Sequence, residues 1–323
     1  MAILICGGAG YIGSHMAAFL NEQNKDYVII DNLSTGHKQA VGDAKLYIGD
    51  MQDKALLDKV FTENKIEAVI NFAASSLVSE SMADPLKYFD NNINGTVSLL
   101  QAMASHDVKK IVFSSTAAVY GEASGEPIDE NIEKKPTNPY GASKLMIEDI
   151  LSWCDKIHGI KFAVLRYFNA AGAHPSGKIG ENHENETHLI PIVAQVALGQ
   201  RGALSIFGDD YDTKDGTCIR DYIHVMDLSQ AHLLALNALE NGESKVYNLG
   251  SGIGTSVKEI VQVFEKISGT KINTKIMPRR KGDPAILLAC NKKAQDELGF
   301  VPQNSNIEKI ITDAWNWHKS EFR

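Results

Sequence analysis

The sequence predicts an α/β protein: a doubly wound parallel sheet with a smaller, mixed C-terminal region. Three observations carry this. Short apolar runs alternate with helix-length stretches through the first half. Most of those runs are continuous rather than alternating, as expected for parallel strands covered on both faces. A glycine cluster, GGAGYIG at 7–13, directly follows the first run and opens a helical stretch.

Taken in order, Ala2 to Cys6 reads as the first strand and Ser14 to Asn24 as the first helix. Tyr27 to Ile30 and Lys45 to Ile48 are the next strands, and Asp53 to Lys65 the next helix. Ala68 to Phe72, Lys110 to Ser114 and Phe162 to Arg166 continue the series. After Asn169 the texture changes. AAGAHPSGKIGENHENETHL and FGDDYDTKDGT are long, polar and loop-like, and long loops in compact domains are often functional. VYNLG at 246–250 reads as a strand, followed by a helix from Ser256 to Ser268. The expected division is 1–169 as a nucleotide-binding domain and 170–323 as a smaller substrate domain. Later segments, within 220–250, are available to complete the sheet.

The chain has 323 residues, 44% hydrophobic and 22% charged, ordinary for a globular protein. Its 32 basic and 40 acidic side chains give a net charge of −8, so the basic footprint of a nucleic-acid binder is absent. No apolar run approaches the roughly 18 residues of a membrane helix. The N-terminus lacks the basic region of a signal peptide, and a cytoplasmic protein is expected. The four cysteines, at 6, 154, 218 and 290, have no CxxC spacing, so neither a disulfide framework nor a metal site is expected.

Gly7, Gly10 and Gly13 form the pattern GxxGxxG between a strand and a helix. The first glycine permits the tight turn, the second lets backbone approach a pyrophosphate, and the third lets helix and strand pack closely. The phosphates then sit at the positive end of the helix dipole. Asp31 lies eighteen positions after Gly13 at the end of the second strand. A carboxylate there accepts both ribose hydroxyls of adenosine and repels a 2′-phosphate, which selects NAD over NADP. This is the Rossmann arrangement. Asp50 and Met51 at the third strand end, Phe72, Ala73 and Ala74 at the fourth, and Asn91 before a helix fit the adenine and nicotinamide pockets.

PYGASK at 139–144 puts Tyr140 and Lys144 four apart, on one face of a helix. An ammonium near a phenol favours the phenolate and lowers its pKa, making the tyrosine a base near neutrality. FSSTAAVYG at 113–121 puts Ser114, Ser115 and Thr116 at a strand's carboxyl end, where open α/β sheets bind ligands. A hydroxyl there can bridge a substrate hydroxyl and the tyrosine.

The glycine loop, Asp31, the Ser/Thr strand end and YxxxK together resemble the short-chain dehydrogenase/reductase superfamily. FSSTAAVYG, PYGASK, LRYFNAAGAHPSG, FGDDY, DGTCIRDYIHVMDL and YNLGSG are similar, segment by segment, to its extended branch, the UDP-glucose 4-epimerase family. The resemblance runs from Met1 to about Gly299. It implies an NAD-dependent isomerase that interconverts UDP-galactose and UDP-glucose through a transient 4-keto sugar. It implies Tyr140 as base, Lys144 as its electrostatic partner and Thr116 as bridging hydroxyl. It implies NAD contacts from Gly7, Gly10, Tyr11, Ile12, Gly13, Asp31, Asn32, Asp50, Met51, Phe72, Ala73, Ala74, Asn91, Ser114, Tyr140, Lys144 and Tyr167. For the nucleotide sugar it implies Thr116, Tyr140, Asn169, His188, Leu189, Ser205, Phe207, Arg220, Arg280, Asp283 and Leu287. Of these, Arg220, Arg280 and Asn169 would hold the diphosphate, Asp283 the uridine ribose and Phe207 the uracil. A homodimer packed through helices starting near Asn92 and Tyr140 is implied as well.

Three positions depart from the family pattern. Ser76 stands where some members carry a lysine near the cofactor, and His188 where an asparagine precedes Leu189. Leu287 stands where members carry either a large tyrosine or a small residue, the latter leaving room for an N-acetyl group. A sugar-nucleotide 4,6-dehydratase would need an Asp-Glu pair after Thr116, but Ala117 and Ala118 follow it and cannot move protons. A C4 epimerase of another UDP-sugar, such as UDP-glucuronate, and a non-catalytic NAD-sensing regulator are the competing readings. The regulator has no use for both Tyr140 and Lys144.

Overall fold

The computed structural model describes residues 1–123, 127–280 and 282–320. The first half supplies six strands: β1 (Ala2–Cys6), β2 (Tyr27–Asp31), β3 (Leu46–Ile48), β4 (Ile66–Asn71), β5 (Lys110–Thr116) and β6 (Lys161–Tyr167). Three short strands follow, β7 (Asn169–Ala171), β8 (Leu204–Phe207) and β9 (Ile219–His224), before β10 (Lys245–Leu249) returns to the main sheet. That sheet has seven strands in the order β3-β2-β1-β4-β5-β6-β10, paired in parallel throughout. The order reverses between β1 and β4, so the crevice at their carboxyl ends is the ligand edge of the sheet. The seventh strand lies beyond residue 169, so the sheet draws on both halves of the chain.

The helices are α1 (Tyr11–Glu22), α2 (Lys54–Glu63), α3 (Val78–Ala83), α4 (Pro85–Tyr88), α5 (Gly95–Ser105), α6 (Pro139–His158), α7 (Leu189–Ala197), α8 (Val225–Ala238), α9 (Val257–Ser268), α10 (Lys292–Leu298) and α11 (Ile307–His318). The strand period of two deals the apolar runs to both faces. Ile3 and Ile5 of β1 pack with Met16 and Leu20 of α1 and Leu228 and Ala231 of α8. Leu4 and Cys6 pack on the other face with Leu57 of α2, Leu99 of α5 and Ile147 of α6. Each fully buried aliphatic side chain contributes about 1.5–3 kcal/mol, which is why the continuous runs take central positions.

The remaining chain builds a smaller unit over the ligand edge. β9 pairs in parallel with β7 and with β13 (Ile286–Leu287), and antiparallel with β11 (Gly254–Ser256). β12 (Thr274–Met277) pairs with β8. Ile190 and Val193 of α7, Phe264 of α9, and Ile310 and Trp315 of α11 form a separate core. Ser256 and Glu259 close a reciprocal capping box that starts α9.

Several boundaries differ from the sequence expectation. α1 begins at Tyr11, not Ser14, because extended Gly10 is its N-cap. β3 ends at Ile48 and β4 at Asn71, so Asp50, Met51 and Phe72 occupy the loops that follow. Asn91 precedes α5, as expected. It lies inside a π-helical turn, Phe89–Asn94, between α4 and α5, a distortion common at functional sites. None of the described helices is long and apolar enough to cross a membrane.

Candidate active site

The glycine loop leaves β1 with Gly7 at φ +73°, the left-handed region that glycine enters without strain. A Cβ on Gly7 would meet the Ala73 nitrogen at 2.7 Å, and one on Gly13 would meet the Gly7 carbonyl oxygen at 2.1 Å. Both glycines are therefore required by the chain's own packing. Gly10 is not. Its φ is −76° and the nearest atom to a Cβ there is 3.5 Å away. The space beside Gly10, at the amide end of α1, fits the close approach of a pyrophosphate. Tyr11 stands at the first turn of α1, where its hydroxyl donates to the Gly172 carbonyl at 2.7 Å. Ile12 packs into the core beneath.

Asp31 ends β2 with its carboxylate already oriented. One oxygen accepts from the Ala9 amide and the other from the Leu33 amide, both at 2.8 Å. These bonds hold the carboxylate against the glycine loop. Next to it, the Asn32 amide donates to Asp50 at 2.9 Å, and Met51 is buried beside Gly95. Ala73 and Ala74 follow Phe72 in the loop after β4, and exposed Ser76 lies just beyond. The π-helical turn aims two asparagines at this loop. Asn92 accepts from the Ser75 amide and donates to Ser143 of α6, while Asn91 donates to the Ser75 hydroxyl.

α6 starts at Pro139, with Asn138 capping the Gly141 amide at 2.8 Å. This puts Tyr140 in the first turn, over the end of β5. Burial pushes the Tyr140 phenol up, opposed by the neighbouring Thr116 hydroxyl. Thr116 itself accepts from the Ala118 amide. The expected lowering by Lys144 needs correcting. The Lys144 ammonium is 3% exposed and donates to the Ser114 carbonyl at 2.8 Å. Burial pulls Lys144 down to about 7, opposed by the negative charge of Glu148. In the protein alone, desolvation outweighs mutual tuning of the pair. Lys144 is tied to the strand that carries Thr116, and this fixes the geometry of the Tyr-Lys pair.

Beneath the strand end lies a histidine that the sequence reading did not single out. His232 of α8 is fully buried, and its Nδ1 donates to the Leu228 carbonyl at 2.8 Å. Its Nε2 is therefore the acceptor for the Ser114 hydroxyl at 3.0 Å. The ring also lies against Phe72 and Tyr167, with centroids 4.7 and 6.2 Å away. Three residues expected at the cofactor thus rest on one neutral imidazole. Glu148 and Arg166 were also missed. The Ser115 hydroxyl donates to Glu148 at 2.6 Å, and Arg166 forks onto the same carboxylate. Glu148 lies one turn beyond Lys144, a spacing that was a readable signal.

The smaller unit supplies a second group of side chains. Arg220 of β9 donates to the Ile219 and Pro284 carbonyls at 2.9 Å and lies 3.7 Å from the Asp283 carboxylate. Leu287 is its register partner on β13 and packs with Ala117 and Val119 after β5. The Arg280 guanidinium stacks on Phe207, 3.9 Å from the ring centre. Ser205 shares the outward face of β8 with Phe207, while Leu204 and Ile206 are buried. Asn169 starts β7 and donates to the Asp221 carbonyl at 2.9 Å. His188 is the N-cap residue before Leu189 of α7, but its ring turns to Glu181 rather than standing free. Asp221, not singled out from sequence, accepts from the Ser251, Gly252 and Ala289 amides. It ties the end of β10 to the smaller unit.

The chain as a whole has known relatives. The sequence profile of the NAD dependent epimerase/dehydratase family matches residues 3–250. The UDP-glucose 4-epimerase of Halalkalibacterium halodurans is 55% identical over 320 residues, covering 99% of this chain and 96% of its own. A crystal structure of a UDP-glucose 4-epimerase superposes with a TM-score of 0.98 at 52% identity, covering 99% and 98% of the two chains. The UDP-glucose 4-epimerase of Bifidobacterium longum, crystallised with NAD+ and UDP, gives a TM-score of 0.92 at 41% identity, covering 98% of each chain.

Proposed function

Because the chain belongs to the NAD dependent epimerase/dehydratase family, we propose that it is an NAD-dependent UDP-glucose 4-epimerase that interconverts UDP-galactose and UDP-glucose. The observation that carries this reading is the Tyr140–Thr116–Lys144 arrangement at the carboxyl end of β5, the ligand edge of the sheet. Bound NAD supplies a nicotinamide that accepts hydride from C4 of the sugar and returns it. The chain does the rest. The glycine loop and the α1 amides bind the pyrophosphate, and Asp31 the adenosine ribose. Asp50, Met51, Asn91 and the Phe72–Ala74 loop line the adenine and nicotinamide ends. Tyr140 takes the proton of the 4-hydroxyl, directly or through Thr116, and gives it back after the keto sugar has presented its other face. Lys144 keeps Tyr140 and the strand end in register.

The nucleotide is held more firmly than the hexose. Arg220 and Arg280 carry guanidinium forks suited to paired phosphate oxygens, and Asn169 starts β7, the strand paired with Arg220's β9. Arg280 on Phe207 forms a wall suited to uracil, and Asp283 is placed for the uridine ribose. Residues 1–169 with β10 form the NAD domain, and the rest of the chain the UDP-sugar domain. α6 exposes Met146, Trp153 and Ile157 on one side, which supports a homodimer packed through that helix. The four free cysteines suit a reducing cytoplasm.

The test needs only protein and substrate. Incubated with UDP-galactose and no added reductant, the protein produces UDP-glucose until the two reach equilibrium. A non-catalytic NAD-binding regulator would leave UDP-galactose unchanged. An epimerase of uronic UDP-sugars would turn over UDP-glucuronate in preference.

A further inference from the structure

We infer that Glu181, His183, Glu186 and His188 form a structural zinc(II) site, which anchors the loop between β7 and α7 beside the cofactor loop. These residues lie in the polar stretch GENHENETHL, where only loop was expected. Each offers one ligand atom, and the four atoms lie within 4.8 Å of one another.

The two His183 distances match tetrahedral coordination. Zinc–nitrogen and zinc–oxygen bonds of about 2.0–2.2 Å place neighbouring ligand atoms roughly 3.4 Å apart. His183 Nδ1 lies 3.4 Å from Glu181 Oε1 and 3.4 Å from Glu186 Oε2. His188 Nδ1 lies 3.7 Å from the other Glu186 oxygen, Oε1, and hydrogen-bonds Glu181 Oε1 directly, a contact that opens when both atoms take neighbouring corners of one tetrahedron. Two imidazole nitrogens and two carboxylate oxygens suit zinc better than calcium or magnesium, which prefer six or more oxygens. With neutral imidazoles the ligand set carries two negative charges, so a dication neutralises it. Both carboxylates are buried, with side-chain exposures of 4% and 2%. Burying two adjacent carboxylates is costly unless they are compensated, and a metal ion compensates both at once.

The surroundings orient the ligands, as an outer shell does. Glu186 Oε1 accepts from the Thr187 and His188 amides at 2.8 and 2.9 Å. The Glu181 carbonyl accepts from the buried Trp317 indole at 2.9 Å. The Asn182 carbonyl bonds His37 Nε2 at 2.8 Å. The cluster therefore joins the segment after β2, the end of α11 and the start of α7. Four protein ligands leave no open position, so the role is structural rather than catalytic.

The test uses the full chain, purified without a histidine tag, stripped with a chelator and titrated with zinc alone. We expect one zinc per chain by elemental analysis, sub-micromolar affinity by competition with a chromophoric chelator, and a melting temperature raised by several degrees. The His183→Ala/Glu186→Gln double variant should lose this zinc. Failure to bind one equivalent, or undiminished binding by the double variant, overturns the inference. Should the variant fail to fold, cobalt(II) added to the stripped wild type decides. Intense visible absorption of a tetrahedral ion supports the site, and the weak spectrum of an octahedral ion overturns it. Neither readout uses epimerisation, so failure of the zinc site and failure of the proposed activity are separable.

Discussion

Arg166 Nε donates to Glu148 Oε1 at 3.0 Å, and both side chains are less than a tenth exposed. The pair is buried between α6 and the sheet, one helical turn beyond Lys144. The second guanidinium edge donates to the Tyr120 hydroxyl at 2.8 Å, which in turn donates to Asn248 of β10 at 2.7 Å. A buried ion pair adds little net stability against an apolar replacement, but removing one partner strands the other. Glu148→Gln and Arg166→Met should each destabilise the protein by about 3–5 kcal/mol. The double variant Glu148→Gln/Arg166→Met should lose far less than the sum. Urea denaturation of the four proteins measures the coupling, and additive losses would show that the pair acts independently.

Tyr140→Phe keeps the ring and removes the hydroxyl that Thr116 contacts. Epimerisation should fall by roughly 10²–10⁴-fold, the usual contribution of a positioned acid–base. NAD should stay bound, because its pyrophosphate and adenosine contacts lie on other elements. Turnover of UDP-galactose and the nicotinamide content after gel filtration check both halves. Near-normal turnover would remove Tyr140 from the proposed role.

The alternation of apolar runs and helices made the sheet legible, because burial on both faces forces continuous hydrophobic strands. Gly7 and Gly13 were legible because backbone geometry demands them. What meets across long separations was not legible. Ser114 and His232 lie 118 positions apart, and no periodicity links a strand end to a helix on the far side of the sheet. Spacing put Tyr140 and Lys144 on one helix face but did not reveal that Lys144 would donate to the Ser114 carbonyl. The Glu181–His188 cluster lies in irregular chain, where residue spacing does not fix side-chain direction. The π-helical turn that holds Asn91 was not legible, because such a turn carries no distinct residue pattern.

Gly10 and Gly13 should respond differently to alanine. At Gly13 a methyl group would meet the Gly7 carbonyl at 2.1 Å, so α1 would have to move away from β1. Gly13→Ala should be strongly destabilised, by about 3 kcal/mol or more. At Gly10 the nearest atom is at an ordinary contact distance. Gly10→Ala should match the wild type in NAD-free stability within about 0.5 kcal/mol, yet bind NAD at least tenfold more weakly. Denaturation of the NAD-free proteins and titration with NAD separate the two effects. Equal NAD affinity in Gly10→Ala would show that the pyrophosphate does not approach there.

In the proposed site, Leu287 is the residue expected to set how much room the sugar has. It is half-buried, next to Arg220 in register and packed on the turn that follows Thr116. Leucine is shorter than tyrosine and flexible at the end, so we expect turnover of UDP-N-acetylgalactosamine as well as UDP-galactose. Leu287→Tyr should suppress the first at least tenfold and spare the second. A wild type that converts only UDP-galactose would rule out this wider specificity.

His232 should give the protein a distinct acid sensitivity. Burial holds its pKa down at about 4, against 6.5 for a free imidazole. Between those values the unfolded chain binds a proton that the folded chain excludes. The stability from keeping His232 neutral is therefore complete above about pH 6.5 and is lost as pH falls through about 4. The difference amounts to roughly 3 kcal/mol. His232→Gln keeps an acceptor for the Ser114 hydroxyl but has no proton to take up. It should be less stable than the wild type at pH 7, with the gap narrowing by about that amount towards pH 4. Paired denaturation curves across this range measure the gap, and comparison with the variant cancels the titration of every other group. A gap that stays constant would mean that His232 does not titrate differently on folding. The imidazole under Ser114, Phe72 and Tyr167 would then be a packing element and not a proton-excluding floor to the cofactor site.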